Sequence, residues 1–164
     1  MRQSVDILVA DDCDDDAALT LAALRRAAPD ARVLRVKDGR DALQFVYSTD
    51  GYKGRPSGFP QLILLDVHMP ILDGLAVLKS LRRDPLTAAI PIVLLSSFGN
   101  PMIIERAMAL GANDYRVKPV DPMAYRAQIQ DITDRWLQQG AEAPPEARPL
   151  AEPGSAPGLR PEQH

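Results

Sequence analysis

Several residue types that build specialised sites are scarce in this chain of 164 residues. The single cysteine, Cys13, excludes an internal disulfide framework and a cysteine-based zinc site. The two histidines are His68 and His164, so a metal centre with two histidines would need the last residue of the sequence. No apolar run approaches the ~20 residues that a membrane-spanning helix needs. We therefore expect no membrane segment and a cytoplasmic, reducing location.

Strong positive charge is also missing. Lys and Arg number 19 against 22 Asp and Glu, which gives a formal net charge of −3. This balance supplies no general attraction for a phosphate backbone, so we expect no nucleic acid as a partner. The acidic residues are unevenly placed, because residues 11–16 read Asp-Asp-Cys-Asp-Asp-Asp. This acidic segment is the first indication of a functional site.

The composition changes near the end of the sequence, at Gly140. From there to His164, six of 25 residues are Pro and three are Gly, and large apolar residues are nearly absent. Such a segment cannot bury enough apolar surface to offset the entropy lost on ordering. We predict a folded domain over residues 4–139 and a Pro-rich disordered tail over residues 140–164.

Within residues 4–139, short apolar runs alternate with helical patterns. The predicted strands are residues 7–9, 33–36, 62–65, 92–95 and 115–117. The predicted helices are residues 15–28, 39–49, 73–83 and 101–110, with a last helix after Asp121. The first, third and fourth strands are apolar on both faces, as in a strand buried between two helical layers. The alternation predicts an α/β fold, an open parallel sheet with helices on both faces.

Polar side chains follow four of these strands. They are Asp11 and Asp12, Asp66, Ser96, and Lys118. Ligands of open α/β sheets bind beyond the carboxyl ends of the strands, so these side chains are expected to meet. Three neighbouring carboxylates repel one another unless a hard divalent cation such as Mg²⁺ binds between them. A carboxylate with Mg²⁺ and an ammonium beside it is arranged to accept a phosphoryl group.

Four segments at these strand ends resemble the receiver domain of two-component response regulators. They are residues 7–12 (ILVADD), 64–70 (LLDVHMP), 94–97 (LLSS) and 117–119 (VKP). The resemblance extends over about residues 5–138 and implies a flavodoxin-like, doubly wound, five-stranded parallel sheet of order 2-1-3-4-5. The long connection at residues 50–60 and the Trp136-Leu137 ending resemble single-domain regulators paired with bacterial phytochrome kinases. Surface insertion is the alternative interpretation of that connection.

The resemblance implies roles for the residues that hold the cation and the phosphoryl group. Asp66 is the phosphoacceptor, which takes a phosphoryl group from a sensor histidine kinase. Asp12 is a direct Mg²⁺ ligand, Asp11 coordinates mainly through water, and the backbone carbonyl of His68 completes the protein's ligands. Lys118 pairs with a phosphoryl oxygen.

The resemblance also implies how the signal leaves the site. Ser96 binds a phosphoryl oxygen, and Tyr115 is a switching aromatic that turns inward when the Ser96 hydroxyl moves. The Lys118–Pro119 bond is expected to be cis. We further hypothesise that Phe98, which is large and apolar, obstructs the water that hydrolyses the phosphoryl group.

No pattern of a second globular domain follows Trp136, so we expect output through protein contact, including a homodimer through the fourth and fifth helices. We expect no enzyme for external substrates, since a receiver promotes only its own phosphorylation and dephosphorylation. A metal-dependent phosphatase and a phosphate sink without downstream output are the alternatives. Asp14, Asp15 and Asp16 are predicted only to begin a helix, where carboxylates favour the helix dipole.

Overall fold

The computed structural model describes residues 4–55 and 58–137. Five strands form one parallel sheet in the order β2-β1-β3-β4-β5. The strands are β1 (Ile7–Ala10), β2 (Val33–Val36), β3 (Leu62–Asp66), β4 (Ile92–Ser96) and β5 (Asp114–Val117). This order confirms the predicted flavodoxin-like fold.

Five helices alternate with the strands. They are α1 (Asp14–Ala27), α2 (Gly39–Val46), α3 (Gly74–Arg83), α4 (Pro101–Ala109) and α5 (Pro122–Ile132). A 3-10 turn at Asp50–Tyr52 follows α2, and a π-helical turn at Thr133–Leu137 continues α5. None of the described helices is long and apolar enough to cross a membrane.

The sheet separates two apolar cores, because successive side chains of a strand point to opposite faces. In β3, Leu62 and Leu64 pack with α1 and α5, whereas Ile63 and Leu65 pack with α2, α3 and α4. Trp136, at the end of the chain's described part, packs against the α1 and α5 core. The central strands are buried on both sides, as their continuous apolar sequences predict.

Several helices begin at side-chain caps that fix where each one leaves the site edge of the sheet. Asp73 accepts a hydrogen bond from the amide of Ala76, and Asp121 accepts one from the amide of Ala124. Pro122 occupies the first turn of α5, where no intrahelical amide partner is required. These starts lie within one residue of those predicted.

The end of α2 differs from the prediction. The helix stops at Val46 rather than residue 49, because Ser48 adopts a φ of +56°. Arg55 donates hydrogen bonds to the carbonyls of Phe45 and Val46, and its guanidinium lies 4.4 Å from the centre of the Phe45 ring. A side chain from the following loop therefore satisfies the end of α2 and packs that loop against the helix. The predicted tail at 140–164 lies outside the described residues.

Candidate functional site

The parallel register brings the predicted site residues to one edge of the sheet. Asp66 is the last residue of β3 and pairs with Leu95, while Ser96 is the last residue of β4 and pairs with Val117. Asp11 directly follows β1, and Lys118 directly follows β5. Asp11, Asp66, Ser96 and Lys118 are far apart in the sequence, and the order of the strands in the sheet makes them neighbours.

The three predicted carboxylates form one cluster. Asp11, Asp12 and Asp66 each offer an oxygen, and these oxygens all lie within 4.8 Å of one another. Asp11 and Asp66 are buried, whereas Asp12 is exposed, so the cluster is open on one side. Hard carboxylate oxygens at this spacing suit a divalent cation that retains several water ligands.

Lys118 lies within the same cluster. Its Nζ is 3.0 Å from Asp11 Oδ2 and 3.5 Å from Asp66 Oδ2, and its side chain is only 6% exposed. A buried ammonium needs anionic partners to offset the loss of water. The carboxylates supply them, so Lys118 is held beside the predicted acceptor.

Asp16 also belongs to this arrangement, although the sequence pattern predicts only a helix start for it. Its Oδ2 lies 3.0 Å from Lys118 Nζ. Asp16 occupies the first turn of α1, which directs its carboxylate back toward the sheet edge. The acidic run at residues 11–16 was the one sequence signal that could have placed Asp16 in the site. Carboxylates also stabilise the start of a helix through its dipole, so the run alone does not distinguish the two roles.

Burial changes the electrostatics of Asp66, the predicted acceptor. Desolvation raises the pKa of Asp66 to about 6, against a lowering contribution from Lys118 and a further raising contribution from Asp11. Burial by itself lowers the pKa of Lys118, but the carboxylates of Asp66 and Asp11 outweigh it and raise that pKa. The ammonium therefore remains charged at neutral pH, while the carboxylate of Asp66 ionises at higher cost than an exposed one.

Backbone groups of the loop after β3 contact Asp66 and pack α3 against it. The amide of His68 donates to Asp66 Oδ1 at 3.3 Å, and the amide of Gly74 donates to the carbonyl of Val67 at 2.9 Å. A Cβ at Gly74 would collide with the carbonyl oxygen of Asp66. Glycine at this position therefore lets α3 begin directly against the end of β3.

Ser96 and Tyr115 both contact Phe98 but do not contact each other through a hydrogen bond. The buried Ser96 hydroxyl oxygen accepts from the Phe98 amide at 3.1 Å, while the Tyr115 hydroxyl donates to the Phe98 carbonyl at 2.9 Å. The rings of Phe98 and His68 meet edge to face, with centroids 6.1 Å apart. Both rings are exposed at the rim of the site.

The expected cis bond at Lys118–Pro119 is wrong for this structure, which has no cis peptide bond among the described residues. Trans is the isomer that an X–Pro bond itself favours, by about 0.5–1 kcal/mol. The trans chain still places Lys118 at the site, where its amide donates to the Ser96 carbonyl at 2.7 Å. The position of the ammonium therefore does not require the cis isomer.

Together, this fold and site define a flavodoxin-like α/β protein whose carboxylate cluster suits a divalent cation. The family model for the response regulator receiver domain matches residues 7–130, and the chain belongs to this family.

Curated relatives support the same assignment. The chain is 30% identical over 131 residues to the probable methanogenesis regulatory protein FilR2 of Methanothrix harundinacea (strain 6Ac), covering 80% of this chain and 83% of that protein. It is 29% identical to response regulator Rcp1 of Synechocystis, covering 80% of this chain and 88% of Rcp1. The chain spans about half the length of two further relatives.

Solved structures of phytochrome-associated regulators are similar throughout the domain. The Mn²⁺-bound form of Rcp1 gives a TM-score of 0.74 with 29% identity, over 80% of this chain and 94% of that one. The phosphorylated cyanobacterial phytochrome response regulator RcpA gives 0.75 with 28% identity, over 83% and 96%. These similarities confirm the predicted resemblance to phytochrome-associated regulators.

Proposed function

We propose that this receiver accepts a phosphoryl group on Asp66 from a sensor histidine kinase and signals through altered protein association. The observation that carries the proposal is the placement of Asp66 with two further carboxylates within 4.8 Å and an ammonium at 3.5 Å. The similarity to phytochrome-associated regulators supports a phytochrome kinase as the donor. The reaction belongs in the cytoplasm, where ATP is available to form phosphohistidine.

Mg²⁺ is the cation we assign to the site, since hard oxygens and an open side suit an ion that keeps water ligands. Asp11, Asp12 and Asp66 would hold it, with Asp11 acting mainly through water and the carbonyl of His68 as a further ligand. When bound, the ion supplies positive charge that offsets the charge of a transferred phosphoryl group. The same charge keeps Asp66 ionised, which opposes the effect of burial on its pKa.

The transfer itself exchanges one bond of phosphorus for another. A carboxylate oxygen of Asp66 forms the new P–O bond as the P–N bond to the kinase histidine breaks, and the electron pair of that bond stays on the imidazole nitrogen. Lys118 is charged and desolvated beside Asp66, so it offsets negative charge on the phosphoryl oxygens. This self-labelling occurs once per site, without turnover of an external substrate.

Ser96 and Tyr115 form the proposed switch. Ser96 pairs with Val117, the residue before Lys118, so both lie at the same edge of the sheet. We propose that the Ser96 hydroxyl binds a phosphoryl oxygen. Moving that hydroxyl displaces the backbone at Phe98, whose amide now donates to it. The Tyr115 hydroxyl then loses its present acceptor, the Phe98 carbonyl, and the ring turns inward.

The output surface we propose is a homodimer interface through α4 and α5. Of the residues in α4, only Ala107 is buried, whereas Met102 is 78% exposed. Met123 at the start of α5 and Val117 at the end of β5 are exposed as well. Apolar side chains on adjoining elements are the composition that a protein partner covers.

A phosphotransfer time course tests the function. The full chain and a phosphorylated histidine kinase are mixed with Mg²⁺, and phosphoryl groups on each protein are counted. We expect rapid transfer that stops at one phosphoryl group per chain. Continuous release of phosphate from an added ester would instead indicate a metal-dependent phosphatase. Transfer with no change in any association would indicate a phosphate sink.

A further inference from the structure

Asp16 differs from its neighbours in the first turn of α1. Asp14 forms an ion pair with Arg35 at 2.8 Å, whereas the exposed side chain of Asp15 makes no hydrogen bond or ion pair in the described part of the chain. Asp16 is partly buried and reaches Lys118. Three consecutive carboxylates thus share one helix dipole, but only Asp16 enters the site.

The Lys118 ammonium has three protons and three carboxylate neighbours. The distances from Nζ are 3.0 Å to Asp11, 3.0 Å to Asp16 and 3.5 Å to Asp66. Asp11 and Asp66 are also proposed to hold the cation, so part of their charge is committed to it. Asp16 is the partner of the ammonium that has no other assigned role.

A pair of hydrogen-bonded hydroxyls supports the backbone of Asp16. The Thr20 hydroxyl donates to the Asp16 carbonyl at 3.0 Å, and the Tyr125 hydroxyl lies 2.5 Å from Thr20 Oγ1. The Thr20 hydroxyl has one proton and donates it to the Asp16 carbonyl, so the Tyr125 hydroxyl is the donor in the bond to Thr20. Thr20 and Tyr125 are both buried, so α5 and α1 are joined directly below the turn that carries Asp16.

We propose that Asp16 is a positioning residue that holds the Lys118 ammonium back from Asp66 before phosphorylation. This inference rests on the proposed function. The ammonium lies closer to Asp16 than to Asp66, and the two carboxylates compete for its charge. Replacing Asp16 with Asn removes the competing charge, so the ammonium moves toward Asp11 and Asp66.

Two opposite changes in binding follow from Asp16→Asn. The affinity for Mg²⁺ falls, because the site loses a negative charge and its cation ligands gain a closer ammonium. The affinity for beryllofluoride, an anionic phosphoryl mimic, rises at saturating Mg²⁺. The Lys118 ammonium is released from Asp16 and can bind the anion, and the carboxylate of Asp16 no longer repels that anion. We expect each change to be about fivefold. Asp15→Asn is the matched control, since it removes the same charge from the same helix turn.

The test measures both affinities by calorimetry on the full chain. Opposite shifts in Asp16→Asn, with shifts below about twofold in Asp15→Asn, are expected. Equal behaviour of the two variants would overturn the role of Asp16. If the unsubstituted chain binds no beryllofluoride at saturating Mg²⁺, the proposed function fails instead, so the two failures are distinguishable.

A second comparison tests whether Asp16 acts through Lys118. In a Lys118→Met background, Asp16→Asn is expected to lower Mg²⁺ affinity no more than Asp15→Asn does. An undiminished effect of Asp16→Asn without Lys118 would contradict the proposal, because Asp16 would then act on the cation alone.

Discussion

Asp66 shows, at the scale of a single residue, how the fold buries a carboxylate at a cost in stability. Burial raises its pKa to about 6 from 3.8, so the folded state binds a proton more tightly than the unfolded chain does. Above pH 6 the ionised group therefore lowers the free energy of unfolding. That penalty disappears as the pH falls through 6 toward 4.

This linkage predicts a stabilising substitution at Asp66. Without divalent cations at pH 7.5, Asp66→Asn is expected to raise the free energy of unfolding by about 1–2 kcal/mol. At pH 4 the gain should vanish, because the wild-type carboxyl is then protonated. Urea denaturation in chelator measures both values, with Asp15→Asn as the control for loss of an exposed charge. A gain of equal size at both pH values would contradict the electrostatic explanation.

Phe98 carries a second prediction at this scale. The ring is 66% exposed and meets His68 at the rim of the site, where it can restrict water. Phe98→Ala is expected to shorten the phosphoryl half-life about three- to tenfold, if partial exclusion of water is worth roughly 1 kcal/mol. The half-life is followed by phosphate release from the phosphorylated chain. Phe59→Ala is the control, because Phe59 is also an exposed phenylalanine but precedes β3. Equal half-lives for all three proteins would reject the hypothesis.

At the scale of elements, the loop from β3 to α3 contains a strained backbone turn. Ile71 has a φ of +70°, and the amide of Leu72 donates across it to the carbonyl of Pro70 at 2.7 Å. A tight turn with a β-branched residue in the left-handed region is costly, and the side chain is 73% exposed, so packing does not compensate. The strained turn lies in the loop that joins Asp66 to α3.

Relieving this strain should stabilise the protein. Ile71→Gly is expected to raise the free energy of unfolding by about 1 kcal/mol. Glycine removes the cost of the left-handed conformation, and the greater entropy of glycine in the unfolded chain offsets part of that gain. Leu86→Gly is the control, because Leu86 is also 73% exposed but has no positive φ. Thermal or urea unfolding measures both, and a loss of stability in Ile71→Gly would show that the turn is not strained.

The elements also show how much of the molecule the sequence could predict. Strands such as β3 were predictable, because a continuous apolar run must be buried between two helical layers, and strand ends then locate Asp66 and its partners. The contact of Asp16 with Lys118 could not be predicted, because it joins groups 102 residues apart in the sequence. The start of a helix already explains an acidic residue at this position. Likewise, the early end of α2 depends on Arg55 from the following loop.

At the scale of the whole molecule, the proposed output is a change in self-association through α4 and α5. Sedimentation at several concentrations should show a larger dimer fraction when beryllofluoride and Mg²⁺ are present. Met102→Asp is expected to weaken the dimer at least tenfold, since it puts a charge in an apolar interface. Leu86→Asp introduces the same charge at an exposed apolar residue outside α4 and α5 and should leave dimerisation unchanged. A monomer under all conditions would count against the interface.

The most direct measurement for the central proposal is the intact mass of the full chain after incubation with Mg²⁺ and a small phosphodonor such as acetyl phosphate. We predict one added phosphoryl group on the wild-type chain and on the Asp15→Asn control. We predict none on Asp66→Ala, and none on the wild-type chain when a chelator removes Mg²⁺. A phosphoryl group gained equally by Asp66→Ala would contradict the assignment of Asp66 as the acceptor.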